Sequence, residues 1–230
     1  MAKLLQFQKR IGHPIFGFGF IRDLGVHGLN GIYNGFHLHP AARFLRSTTL
    51  PAITNNVRYA PSVWNQGNTG SCTGHGTAGM ITTTFASRGK ALAHPVSPRL
   101  VYCLGRAIDR SNPTVKLQDK GAQPNSVMRA LGTWGCVLEG EDDDGRTADS
   151  TDYTSYLESH INDDPKLGEL EKSSSHILVG FNSIADNAID KIAQYQTALA
   201  SGYSVGEAVD AGSQTFQSYD ETKSPLGYTG

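Results

Sequence analysis

The stretch Asn65-Gln66-Gly67-Asn68-Thr69-Gly70-Ser71-Cys72-Thr73-Gly74-His75 places a glutamine six residues ahead of a cysteine at a predicted helix start. A thiolate at a helix N-terminus is stabilised by unpaired N–H groups and the macrodipole, which favours a nucleophile at neutral pH. A glutamine amide upstream can donate to an oxyanion formed when sulfur attacks a carbonyl. The three glycines let the backbone turn tightly and approach a substrate.

From Cys72 to about Arg88, Gly76, Ala78, Gly79 and Ala86 are interspersed with Met80, Ile81 and Phe85. That pattern predicts a helix buried on most sides. Thr82-Thr83-Thr84 has poor helix propensity, so packing must hold it. Ser97 before Pro98 reads as a cap and first helical residue, opening a helix that carries Tyr102. Asp119 to Gly135 predicts a loop and a third helix closed by glycine. Tyr102 and Trp134 read as core aromatics. Residues 146–175 are polar and expected to be irregular. His176-Ile177-Leu178-Val179-Gly180-Phe181 reads as a strand. Residues 186–200 then follow as an amphipathic helix on Ile189, Ile192, Tyr195 or Gln196, and Leu199, ending at Gly202, and 203–212 alternate as a strand.

Gln66, Gly70-Ser71-Cys72 and these helices resemble the papain-like cysteine peptidases, in a prokaryotic or phage-type form. The resemblance runs from about Val57 to Gly230. It implies an α+β fold: a helical lobe bearing the nucleophile helix, plus part of an antiparallel β-barrel lobe. The expected organisation is an N-terminal arm over 1–50 and a peptidase domain over 51–230. Its helical lobe covers about 51–145, and the β lobe begins over about 176–230. The resemblance implies hydrolysis of a peptide or isopeptide bond, with Cys72 attacking and Gln66 helping to hold the oxyanion beside the Cys72 N–H.

The family also uses a His and an Asn, which this sequence does not show in register. Two residues are in-chain candidates for the base. His75 shares a helix face with Cys72, and its alternative is a packed polar residue. His176 lies on a segment that echoes the family's His-bearing strand. Three expectations follow, in order: the chain is the N-terminal portion of a longer peptidase; a partner completes it, or it is an inactive structural or binding module of a larger assembly such as a phage or viral particle; or a His within it works in an atypical dyad. The chain counts as a hydrolase only if the missing groups are supplied.

Residues 1–56 carry six basic residues against one acid, ahead of an acidic body. The Gly/aromatic segment over 1–50 shows no sustained helical or strand period and reads as an extended arm laid on the body or on a protein partner, the alternative being a zymogen pro-segment. His37 and His39 have no Cys, Asp or Glu nearby, so no metal site is expected there. The acidic loop 140–145 lacks the Glu of a calcium loop and reads as a solvated insertion. No cofactor is expected, and the substrate-binding residues are not specified. Near-balanced charge gives no case for specific nucleic-acid binding, and no run of about 18 apolar residues predicts a membrane span. Three cysteines, with Thr69 where secreted relatives keep a disulfide partner, and a start lacking the apolar run of a secretory signal point to the cytoplasm or a particle.

Overall fold

The computed structural model describes residues 50–51, 53–142, 146–147, 150–174 and 191–206, and the backbone of two short strands nearer the start. Those strands, β1 (Ile32–Tyr33) and β2 (Phe36–His37), pair antiparallel with Ile32 opposite His37. They flank Asn34-Gly35, a dipeptide that favours hairpins. This two-residue strand pair lies within the segment read as an extended arm without a sustained strand period. The remainder of the predicted arm lies outside the described residues.

After a 3-10 turn at Val57–Tyr59 come three helices: α1 (Cys72–Ser87), α2 (Pro98–Asp109) and α3 (Pro124–Trp134). Ser97 caps α2 by accepting from the Leu100 N–H, with Pro98 at the first helical position. Gly135 follows α3 with φ of 80°. All three boundaries match the sequence signals.

α2 is the central element, buried from Pro98 to Ile108 and packed against both α1 and α3. Leu100 and Leu104 join Trp134, Val137 and Leu170 in one cluster, while Val101 joins Ala78, Val127 and Leu131 in another. Close approach to α1 depends on Gly74, because a Cβ there would lie 2.6 Å from both the Pro98 carbonyl oxygen and the Tyr102 Cβ. The threonine run survives by tertiary bonding: Thr82 Oγ1 accepts from the Val96 N–H at 3.0 Å, and Thr84 Oγ1 from Ser204 at 3.0 Å.

Two expectations are corrected in the next segment. The described residues of 146–175 are not irregular throughout, since they contain α4 (Tyr153–His160) and α5 (Leu167–Ser173). Tyr153, Leu157 and Ile161 recur at helical spacing and close over Tyr102, which short polar-rich helices hide from a periodicity reading. The acidic loop is not wholly solvated either. Asp142 is buried, accepts from Ser97 Oγ at 3.1 Å and lies 3.7 Å from Arg99 Nε. A buried arginine on the central helix requires such partners, and Glu169 supplies a second carboxylate to it.

The final described helix, α6 (Lys191–Ala200), ends before Gly202 as expected. Its buried residues are Gln194, Thr197 and Ala198, whereas Ile192 is exposed, so the predicted apolar face is corrected. Its C-terminal end docks on α1: Ser87 Oγ donates to the Gly202 carbonyl at 2.5 Å and Arg88 to that of Ser201 at 3.1 Å. Residues 203–206 form no strand. The predicted strand at 176–181, residues 186–190 and everything after 206 lie outside the described residues. No β-barrel lobe is present among the described ones, whose strands are β1, β2 and an isolated bridge between Val96 and Leu138.

Candidate active site

Cys72 is the first residue of α1 and is exposed. The loop before it is held by local bonds. Gln66 and Thr69 clasp each other: Gln66 Nε2 donates to the Thr69 carbonyl at 2.9 Å, and Thr69 Oγ1 donates back to the Gln66 carbonyl at 2.8 Å. One of the two N–H groups of the Gln66 amide is thus engaged within the turn. The Asn65 carboxamide accepts from the Gly67 N–H at 3.0 Å, tightening the same turn.

The loop is also tied to two other segments, α4 and residues 119–122. Glu158 on α4 accepts the Asn68 N–H at 2.8 Å, and Thr154 donates to the Asn65 carbonyl at 3.2 Å. Asp119 accepts the Gly70 N–H through both carboxylate oxygens, at 3.0 and 2.9 Å. Thr73, just past the cysteine, donates to the Ala122 carbonyl at 3.0 Å. The sequence reading missed Asp119, Glu158 and Thr154, because nothing in their local spacing marks contacts made across 49 to 90 residues.

Ser71, the residue before the helix, makes no capping bond with its side chain. Its buried hydroxyl instead lies 2.6 Å from Thr69 Oγ1 and 3.1 Å from His75 Nδ1. The first-turn N–H groups of α1 are therefore left uncapped by Ser71, an arrangement that favours negative charge at the helix start.

His75 is buried, and its Nδ1 lies 3.0 Å from the Ser71 carbonyl oxygen. A carbonyl only accepts, so Nδ1 carries the proton and the neutral ring's Nε2 is the bare acceptor. That Nε2 is buried without a hydrogen-bond partner among the described residues, and the ring meets Trp64 edge-on at 5.9 Å. Burial lowers the His75 pKa, opposed by the Ser71 backbone bond. The other candidate base, His176, lies outside the described residues.

Among the described residues no group of three or more His, Cys, Asp or Glu could hold a metal ion. No described helix is long and apolar enough to cross a membrane.

No protein-family model matches the chain. No curated protein matches it either. Among solved structures it is similar to xylellain, a cysteine protease from Xylella fastidiosa, with a TM-score of 0.51 and 19% sequence identity. The fold is papain-like. The match covers 73% of this chain and 59% of xylellain, so the chain spans about three-fifths of that protein's length. Within that fold the described residues form a helical assembly with Cys72 on its surface.

Proposed function

We propose that the chain is a papain-like cysteine peptidase domain, or a portion of one, in which Cys72 attacks the carbonyl of a peptide bond. The observation that carries this reading is the exposed thiol at the first residue of α1, in a chain whose fold is that of a cysteine protease. Attack would form an acyl-enzyme, and water would then release it. The Cys72 backbone N–H and the second amide N–H of Gln66 are the proposed oxyanion donors. Gln66 supports that role by its turn with Thr69, which holds the carboxamide beside the nucleophile loop.

His75 is not assigned as the base. Its protonated Nδ1 serves Ser71, and its ring is buried against Trp64 while the Cys72 side chain is exposed. The His and Asn that complete the site are assigned to residues outside the described ones, His176 being the in-chain candidate, or to further chain or a partner.

The test is hydrolysis of fluorescently labelled casein by the protein and by Cys72→Ser and Gln66→Ala variants. We expect Cys72→Ser to abolish turnover and Gln66→Ala to lower kcat by about 10² to 10³, the range for losing one oxyanion donor. Turnover that persists in Cys72→Ser overturns the reading. Absence of turnover in the unsubstituted protein would favour a non-catalytic binding module instead.

A further inference from the structure

We infer that Asp119 is a positioning residue for Cys72, fixing the turn that presents the thiol. The inference rests on the peptidase reading above. Cys72 lies between two anchor points on a single segment, residues 119–122. Gly70 donates its N–H to both Asp119 oxygens, and Thr73 donates its hydroxyl to the Ala122 carbonyl. Backbone on either side of the nucleophile is therefore referenced to one loop.

That loop is in turn fixed to the core through Tyr102. Its phenol donates to Asp119 Oδ1 at 2.6 Å and accepts the Gly121 N–H at 2.9 Å. Burial, then the Asp119 bond, push the Tyr102 pKa to about 12, so the phenol keeps its proton and remains a donor to the carboxylate. Arg106, one turn along α2, sits 3.9 Å over the Tyr102 ring and donates to the Gln118 carbonyl at 2.9 Å. A continuous chain thus runs from the central helix through Tyr102 and Asp119 to Gly70.

Gly70 fits the same picture. A Cβ there would lie 2.9 Å from Asp119 Oδ1 and 3.1 Å from the Gly121 nitrogen, so the carboxylate approaches the backbone where only hydrogen fits. Three hydrogen bonds converge on a half-buried carboxylate that belongs to none of the apolar clusters. Its contacts go to the nucleophile turn and to the residue that braces it.

Four proteins decide the matter: the unsubstituted chain, Asp119→Ala, Asp119→Asn and Tyr102→Phe. Two readouts are taken, amide hydrogen exchange by peptide mapping and casein hydrolysis resolved into kcat and KM. We expect Asp119→Ala to speed exchange over 66–75 by about tenfold or more while 77–87 and α3 stay protected. The same variant should lose kcat by about tenfold or more with KM held within about twofold. Asp119→Asn keeps an acceptor for Gly70 and should recover most of both effects. Tyr102→Phe keeps the ring and both Gly70 bonds to Asp119 but removes the phenol's bonds to Asp119 and Gly121, giving a smaller change of the same kind if the alanine variant does not fold. Unchanged exchange over 66–75, or exchange raised equally through α1 and α3, overturns the positioning role. So does an unaltered kcat in Asp119→Ala. Failure of the unsubstituted protein to show Cys72-dependent hydrolysis overturns the peptidase reading, and with it the catalytic purpose, while exchange still reports whether Asp119 fixes the turn.

Discussion

The His75 imidazole is tied through Nδ1 to the carbonyl of Ser71, 3.0 Å away and one helical turn back. Its burial favours the neutral ring and lowers its pKa from 6.5. As pH falls through the ordinary value, the unfolded chain takes a proton that the fold resists, so stability declines with acidification. Between the unfolded and the lower folded value the slope approaches about 1.4 kcal/mol per pH unit for one proton. His75→Asn retains an amide donor in place of Nδ1 and removes the titration. Urea unfolding at about pH 7.5 and about pH 5.5 should show a smaller loss in His75→Asn than in the unsubstituted protein. Equal losses would mean that His75 does not govern this window.

Thiol reactivity should separate the three cysteines. Cys72 is exposed, whereas burial pushes the Cys103 thiol to about 11 and the Cys136 thiol to about 12. Cys103 also donates its S–H to the Asp163 carbonyl at 3.0 Å. Since the thiolate is the reacting form, iodoacetamide on the folded protein should give one adduct, mapped to Cys72 by mass spectrometry. Cys72→Ala should give none, and urea should expose the other two. Comparable labelling of Cys103 or Cys136 in the fold would contradict this placement.

The three main helices were legible because their start and stop signals are local: Ser97-Pro98, Pro124 and Gly135 act within a turn of where they stand. The proposed pair Cys72 and Gln66 could be put forward for a similar reason, since one short loop carries both. The bonds that fix that loop were not, because Asp119, Glu158 and Thr154 reach it from distant elements. α4 and α5 were hidden by their polar composition, as each buries few apolar residues and relies on others for its place. Asp142 looked like part of a solvated run because its buried partner, Arg99, lies 43 positions earlier. Burial of Gln194 and Thr197 on α6 reversed a face assigned from apolar side chains alone.

The Arg99 and Glu169 pair predicts a large cost on breaking. Arg99 faces Asp142 as well, and Glu169 also accepts the Lys166 N–H at 2.8 Å at the start of α5. All three ionic side chains are buried. Arg99→Met would remove the buried cation that pairs with Glu169 and faces Asp142, costing about 3 to 5 kcal/mol. Glu169→Gln keeps an acceptor for Lys166 and removes one charge, so its cost should be smaller. Urea unfolding measures both, and a loss below about 1 kcal/mol for Arg99→Met would show that the cluster is not coupled to the fold.

Gly74 and Gly76 lie two residues apart on α1, so alanine at each has the same effect on helix propensity and a different fate in space. At Gly76 an added Cβ meets nothing within 4 Å, and the position is exposed. The substitution should therefore gain about 0.5 to 1 kcal/mol from reduced backbone entropy in the unfolded chain. At Gly74 the Cβ would overlap a backbone oxygen of Pro98 and the Cβ of Tyr102, neither of which is the yielding end of a flexible side chain. Overpacking of about 1 to 3 kcal/mol outweighs the propensity gain there, and α1 must shift from α2. For a chain of this size 1 kcal/mol moves Tm by about 2 to 4 °C, so thermal melts should rise for Gly76→Ala and fall for Gly74→Ala. Because Tyr102 braces Asp119, the Gly74 variant should also lose Cys72-dependent hydrolysis more than its melt alone accounts for, whereas Gly76→Ala keeps it. Melts of the same sign would show that the α1–α2 contact is looser than the packing of Gly74 against Tyr102 requires.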